Sequence, residues 1–192
     1  MHINNTITSK GFTLIEVLIT VLILSIGLLG LAGLQVRSMK SNHSAYLKSQ
    51  ATIMAYDMID RMRANPNAVT NSDYIATGAY TVDPPGSATN LTSYYTVSGP
   101  AAVANCKTTS GCTTTQMANT DINEWRIELA TLLPGGVGII CLDDAVDPDT
   151  DQGDLADQKC SGTGNIYAIK IWWNDERDAA GTLKRFVTSY TP

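Results

Sequence analysis

The sequence predicts an α+β protein: a long N-terminal helix packed on a small antiparallel β-sheet head that disulfides hold together. Three observations predict it. Residues 12–34 form an unbroken apolar run with a single acid in it. Leu47, Ala51, Met54, Met58 and Met62 then recur at helical spacing. Near the C-terminus Tyr167, Ile169, Ile171 and Trp173 alternate as in a strand, in the half of the chain that holds all four cysteines.

The first element is the apolar run. Residues 1–11 are short and polar and end in Lys10-Gly11; residues 12–34 read FTLIEVLITVLILSIGLLGLAGL. At 1.5 Å per residue the run is long enough to cross a hydrocarbon core of roughly 30 Å. It is too long for the apolar part of a secretory signal, and no small-x-small cleavage site follows it. Glu16 fits neither an ordinary anchor nor a signal peptide. A carboxylate inside such a run costs a few kcal/mol unless it is paired or close to the interface. Lys10, before the run, and Arg37 and Lys40, after it, leave the orientation undecided by charge.

The helix is expected to continue. The stripe of Leu47, Ala51, Met54, Met58 and Met62 marks one buried face over residues 35–65, and Asp57 and Arg61 form an i, i+4 pair on another. Asn65-Pro66 ends the helix, because the residue before a proline avoids helical geometry. Gly27, Gly30 and Gly33 soften the first half and permit close approach of another helix.

The head occupies residues 66–192. Residues 66–120 read as a long Thr/Ser/Asn-rich loop with short strand candidates at 79–82 and 94–97. Asp121 is expected to cap a short helix, with Glu124 at the third helical place. Trp125, Leu129, Leu132 and Leu133 supply its apolar face, and Pro134-Gly135-Gly136 stops it. Strands are expected at 137–142, 166–173 and 182–190, the last two joined by a polar turn, giving a sheet of three or four strands.

Cys106, Cys112, Cys141 and Cys160 are even in number and follow a segment that leads out of the cytoplasm, which favours two disulfides. Three pairings are open; proximity favours Cys106–Cys112 and Cys141–Cys160. Their spacing does not suit zinc, and His2 and His43 are distant. The acidic loop of Asp143, Asp144, Asp147, Asp149, Asp151, Asp154 and Asp157 has the alternation of a calcium loop. Its glycine, Gly153, is one place late, and Gln158 stands where a glutamate is needed, so a solvated loop is the better reading. No metal or cofactor is expected. The net charge of −5 argues against a nucleic-acid partner. No catalytic serine motif or phosphate loop is present, and an enzyme is not expected.

Lys10-Gly11-Phe12-Thr13-Leu14-Ile15-Glu16-Val17, followed by an apolar run, resembles the type III signal of prepilins and pseudopilins. The resemblance implies a type IV pilin-like fold. It implies cleavage by a prepilin peptidase between Gly11 and Phe12 and N-methylation of Phe12, with residues 1–11 lost as a leader. It implies that Glu16 meets the N-terminal amine of a neighbouring subunit. It also implies a cytoplasmic N-terminus at the inner membrane, a periplasmic head and a place in a surface pilus. In the head, Asp121-x-x-x-Trp125-Arg126, Leu133-Pro134-Gly135-Gly136, Cys141 and Trp172-Trp173-x-Asp175 resemble the PilV group of type IV pilus modification proteins. The function implied is a minor pilin that acts with other minor and major pilins in pilus initiation and assembly, and in pilus-dependent adhesion or twitching motility. A type II secretion pseudopilin shares the signal and helix, and a single-pass anchored surface-binding module shares the helix; both remain as alternatives.

Overall fold

The computed structural model describes residues 11, 13–77, 106, 108, 111–144, 158–175 and 183–192. The described elements are α1 (Leu14–Ala64), α2 (Pro66–Thr70), α3 (Thr114–Leu132), β1 (Val137–Asp143), β2 (Ile166–Asn174) and β3 (Leu183–Tyr190). The chain divides into two compact units, Met1–His43 and Ser44–Pro192, and α1 continues through the boundary.

In the first unit the described structure is the opening stretch of α1, whose apolar side chains lie exposed. This helix is long and apolar enough to cross a membrane.

The second unit is an α+β head. The remainder of α1 buries Leu47, Ala51, Met54, Ala55, Met58, Ile59 and Met62. The expected stripe is all there, widened by Ala55 and Ile59. Burying a methionine side chain fully contributes about 1.5–3 kcal/mol, so the stripe is a main source of cohesion. The helix ends at Ala64, where the Asn65-Pro66 step predicts. Pro66 then starts α2, a position where its missing N–H is no loss.

The sheet has the order β1-β2-β3 and is antiparallel throughout. Tyr167, Ile169, Ile171 and Trp173 of β2 face the core formed with α1, α2 and α3. The opposite face is covered too. Ile139, Cys141, Ala168 and Trp172 form a second, smaller apolar cluster there, with Cys160 packed against it. Ala76 adds an isolated bridge to Ile140.

Helix α3 departs from expectation. It starts at Thr114, not at Asp121. Thr113 is the N-cap, and its hydroxyl and the Gln116 side chain make a reciprocal capping box. Two β-branched residues open the helix, and its first turns bury small residues such as Ala118 and Thr120, so the usual periodic signal is weak. Asp121 sits inside the helix and turns its carboxylate to Tyr74 instead. Trp125, Leu129 and Leu133 are buried as expected, whereas Leu132, the last helical residue before the extended C-cap Leu133, is 50% exposed. The strand candidates at 79–82 and 94–97 lie outside the described residues.

Gly138 of β1 lets the sheet approach α3. A Cβ at this position would come within 2.3 Å of Leu129 Cδ1 and 2.4 Å of the Trp125 ring. Both neighbours are fully buried and have no free space to shift into. Gly138→Ala is therefore expected to lower stability by about 1–3 kcal/mol, read from denaturant unfolding of the full chain in detergent. An unchanged midpoint would mean that α3 and the sheet do not meet this closely.

Candidate functional site

The N-terminal segment is built around the start of α1. Thr13 precedes the first helical residue, and its carbonyl accepts from the amides of Glu16 (3.1 Å) and Val17 (3.3 Å). Glu16 thereby stands at the third helical position, in the first turn, where the partial positive charge of the helix end favours an anion. Gly11 is exposed, and residues 1–10 and Phe12 lie outside the described residues. Among the described residues the Glu16 carboxylate has no ion pair or side-chain hydrogen bond.

The surface that follows is close to purely apolar. Thr20 and Ser25 turn their hydroxyls back to the carbonyls of Val17 (2.8 Å) and Val21 (2.6 Å), so neither presents an unmet donor outward. A Cβ at Gly27, Gly30 or Gly33 would meet nothing within 4 Å. No close contact in the described chain requires these glycines, and their small size leaves a low strip open to another helix. The chemistry such a segment can perform is association: a greasy rod with one carboxylate near its tip.

In the head, the structure pairs Cys106 with Cys112 and Cys141 with Cys160. The first bond lies beside α3, where the Thr120 hydroxyl is 3.4 Å from the Cys106 sulfur. The second ties β1 to the segment before β2. Among the described residues no group of three or more histidine, cysteine, aspartate or glutamate side chains is arranged to hold a metal ion. Asp147, Asp149, Asp151, Asp154 and Asp157 lie outside them.

A polar cluster joins α1 to α3. Arg61 lies 2.8 Å from Asp57, 3.3 Å from Glu124, 3.4 Å from Glu128 and 3.7 Å from Asp121. Burial alone would lower the Arg61 pKa, but the carboxylates, Asp57 foremost, hold it above its ordinary value. Tyr74 donates to Asp121 at 2.7 Å and approaches the Arg61 carbonyl at 3.3 Å. Burial raises the Asp121 pKa, against the opposing pull of the Tyr74 hydrogen bond and the Arg61 charge. Burial, and then the Asp121 hydrogen bond, push the Tyr74 hydroxyl far up. Asn65 caps the group by donating to the Thr114 carbonyl at 2.8 Å. The Asp57–Arg61 pair is legible in the sequence; the acids from α3 are not, because their long separation in sequence from Arg61 leaves no local pattern.

Two family models match the chain. One, described as the prokaryotic N-terminal methylation motif, covers residues 8–32. The other, described as type IV pilin Tt1218, covers residues 33–123. No curated protein and no solved structure matches. The first match contains Gly11, Phe12 and Glu16; the second contains Arg61, Tyr74 and Asp121.

Tyr74 generates a pH prediction. Its folded pKa lies above the unfolded value of about 10. Above that pH the unfolded state loses this proton while the folded state keeps it, so stability falls as pH rises. Relative to Tyr74→Phe, the wild-type advantage of about 1 kcal/mol near neutrality is expected to shrink above about pH 10. Paired denaturant titrations across pH 8–11 would check it; parallel curves for the two proteins would contradict it.

Proposed function

We propose that this chain, which matches the type IV pilin Tt1218 model over residues 33–123 and the N-terminal methylation motif over residues 8–32, works as a minor type IV pilin, supporting pilus initiation and assembly and, through it, adhesion or twitching motility. Pilins are structural subunits, and a pilin with this motif associates with other pilins and with the prepilin peptidase. The single observation that carries the reading is the exposed apolar start of α1, with Glu16 in its first turn and no ion-pair partner for that acid among the described residues. The PilV-like motifs of the head support the minor role.

In this reading residues 1–11 are a leader. The peptidase hydrolyses the Gly11–Phe12 bond, and the new Phe12 amine then takes a methyl group from a sulfonium methyl donor, which leaves as the thioether, and loses a proton. Hydrolysis creates a cation next to the first turn of α1. A cation is disfavoured at a helix N-terminus, and a carboxylate is disfavoured in an apolar medium. Pairing the two across subunits offsets both penalties. Because leaving either charge buried without the other costs several kcal/mol, the pair also fixes the axial register of one subunit on the next. Residues 12–34 serve first as the inner-membrane anchor and then as the filament-core part of α1. Residues 35–65 carry the head, residues 66–192, which lies in the periplasm before assembly and at the surface of the pilus afterwards.

Mass spectrometry of the protein from cells is expected to find N-methylated Phe12 as the first residue; an intact Met1 on the surface-assembled form would contradict the reading. Glu16→Ala is expected to insert in the membrane at normal levels and to be at least tenfold depleted from sheared pili, as loss of a buried charge pair of about 3 kcal/mol implies. Normal incorporation of that variant would remove the assembly role of the acid.

A further inference from the structure

The head contains a second device, on the side of the sheet away from α3. Lys170 lies mid-strand in β2 and is 0% exposed. Its neighbours Ile169 and Ile171 point into the main core. Lys170 therefore shares the other face with Ala168 and Trp172, where Ile139, Cys141 and Cys160 also pack. Its ammonium donates to the carbonyls of Gln158 (2.9 Å) and Lys159 (2.8 Å). The Asp143 carboxylate, almost as deeply buried, is 4.0 Å away. Both carbonyls belong to the residues just before Cys160, which is bonded to Cys141 of β1. Cys141 stands opposite Ala168, two residues along β2 from Lys170. Lys159 holds φ at 47°, an uncommon backbone for a residue other than glycine.

We propose that Lys170 and the Cys141–Cys160 disulfide form one redox-dependent latch, in which the bond holds in place the carbonyls that hold the charge. In the oxidised chain the segment 158–160 lies over Lys170 and closes the outer face of the sheet. In the reduced chain the covalent tether is gone and hydrogen bonds such as that from the Gly162 amide to the Leu142 carbonyl (3.1 Å) are left to hold the segment; when it opens, the two carbonyls leave together and the buried ammonium loses acceptors. An apolar residue at this position would tolerate the loss of the bond far better. The lysine thus converts an ordinary cross-link into a test of oxidation: the outer face closes only once Cys141 and Cys160 have joined by exchange with a disulfide oxidant, which takes up the two electrons and leaves as a dithiol. Opening takes a dithiol reductant. One thiolate attacks a sulfur of the bond and releases the other cysteine; the second thiol then resolves the mixed disulfide. Cys141 and Cys160 end as thiols and the reductant ends as its own disulfide, a two-electron exchange.

The latch goes beyond the pilin reading and does not rest on it. Its test uses the full chain in detergent. Cys141→Ser/Cys160→Ser, which leaves Cys106–Cys112 intact, is made with Lys170 and with Lys170→Met, and hydrogen exchange is read at the β1 amides bonded to β2. Loss of the bond is expected to speed exchange roughly a hundredfold more with Lys170 than with Met at that position. Equal acceleration in the two backgrounds would overturn the proposal. A second measurement needs no change at 170: acetylation of the Lys170 amine by an activated ester, scaled to the exposed Lys48. Labelling is expected to rise at least roughly tenfold when the bond is absent, and unchanged protection would overturn the latch as well.

Discussion

The constraint on which everything else depends is that this chain carries an apolar surface that, as described here, it leaves exposed. From Leu14 to Met39 every large apolar side chain for which exposure is given is more than half exposed. Monomeric soluble proteins rarely show a contiguous apolar patch beyond a few hundred Å². The hydrophobic effect therefore favours covering this segment with lipid or with other apolar helices. Once that is accepted, the polar exceptions explain themselves. Thr20 and Ser25 satisfy their hydroxyls within the helix. Glu16 is the one acid in this stretch, and it occupies the first turn, where the helix end favours it.

The head solves a different problem with the same helix. Beyond residue 44 the buried Met and Ala stripe of α1 gives the sheet and α3 a surface to pack on. Three devices then fix the arrangement: the Arg61 cluster between α1 and α3, the Trp125 indole that donates to the Met54 carbonyl at 2.9 Å, and the missing side chain at Gly138. Arg126 adds a fourth tie by donating to the Ala76 carbonyl at 3.0 Å. Each directional contact crosses between elements far apart in sequence, so each selects one packing among the many that apolar contact alone would accept. Together they make an α+β, type IV pilin-like fold.

Local pattern explains what could be read from the residues. The α1 stripe, its end at Asn65-Pro66 and the alternation of β2 are periodic, and each came through because burial on one face imposes a period. The start of α3 did not, because Thr113 and Gln116 set the helix by hydrogen bonds while Thr and small residues hid its buried face. The second covered face of β2 was also invisible: Lys170 looks like a solvent-facing residue until two backbone carbonyls are found on its ammonium. At the candidate site, Gly11, Phe12 and Glu16 are legible because they form a short local motif, which the match over residues 8–32 contains. The partner of Glu16 is not, since in this account it belongs to another molecule.

The most direct measurement is therefore chemical. Assembled pili and detergent-dispersed subunits are treated with a membrane-permeant carbodiimide, and the peptides are sequenced by mass spectrometry. An amide is expected between the Glu16 carboxylate and the N-terminal amine of an adjacent pilin, present in pili and absent from dispersed subunits. A Glu16 that stays unlinked in intact pili, or that links equally well in dispersed subunits, would contradict it.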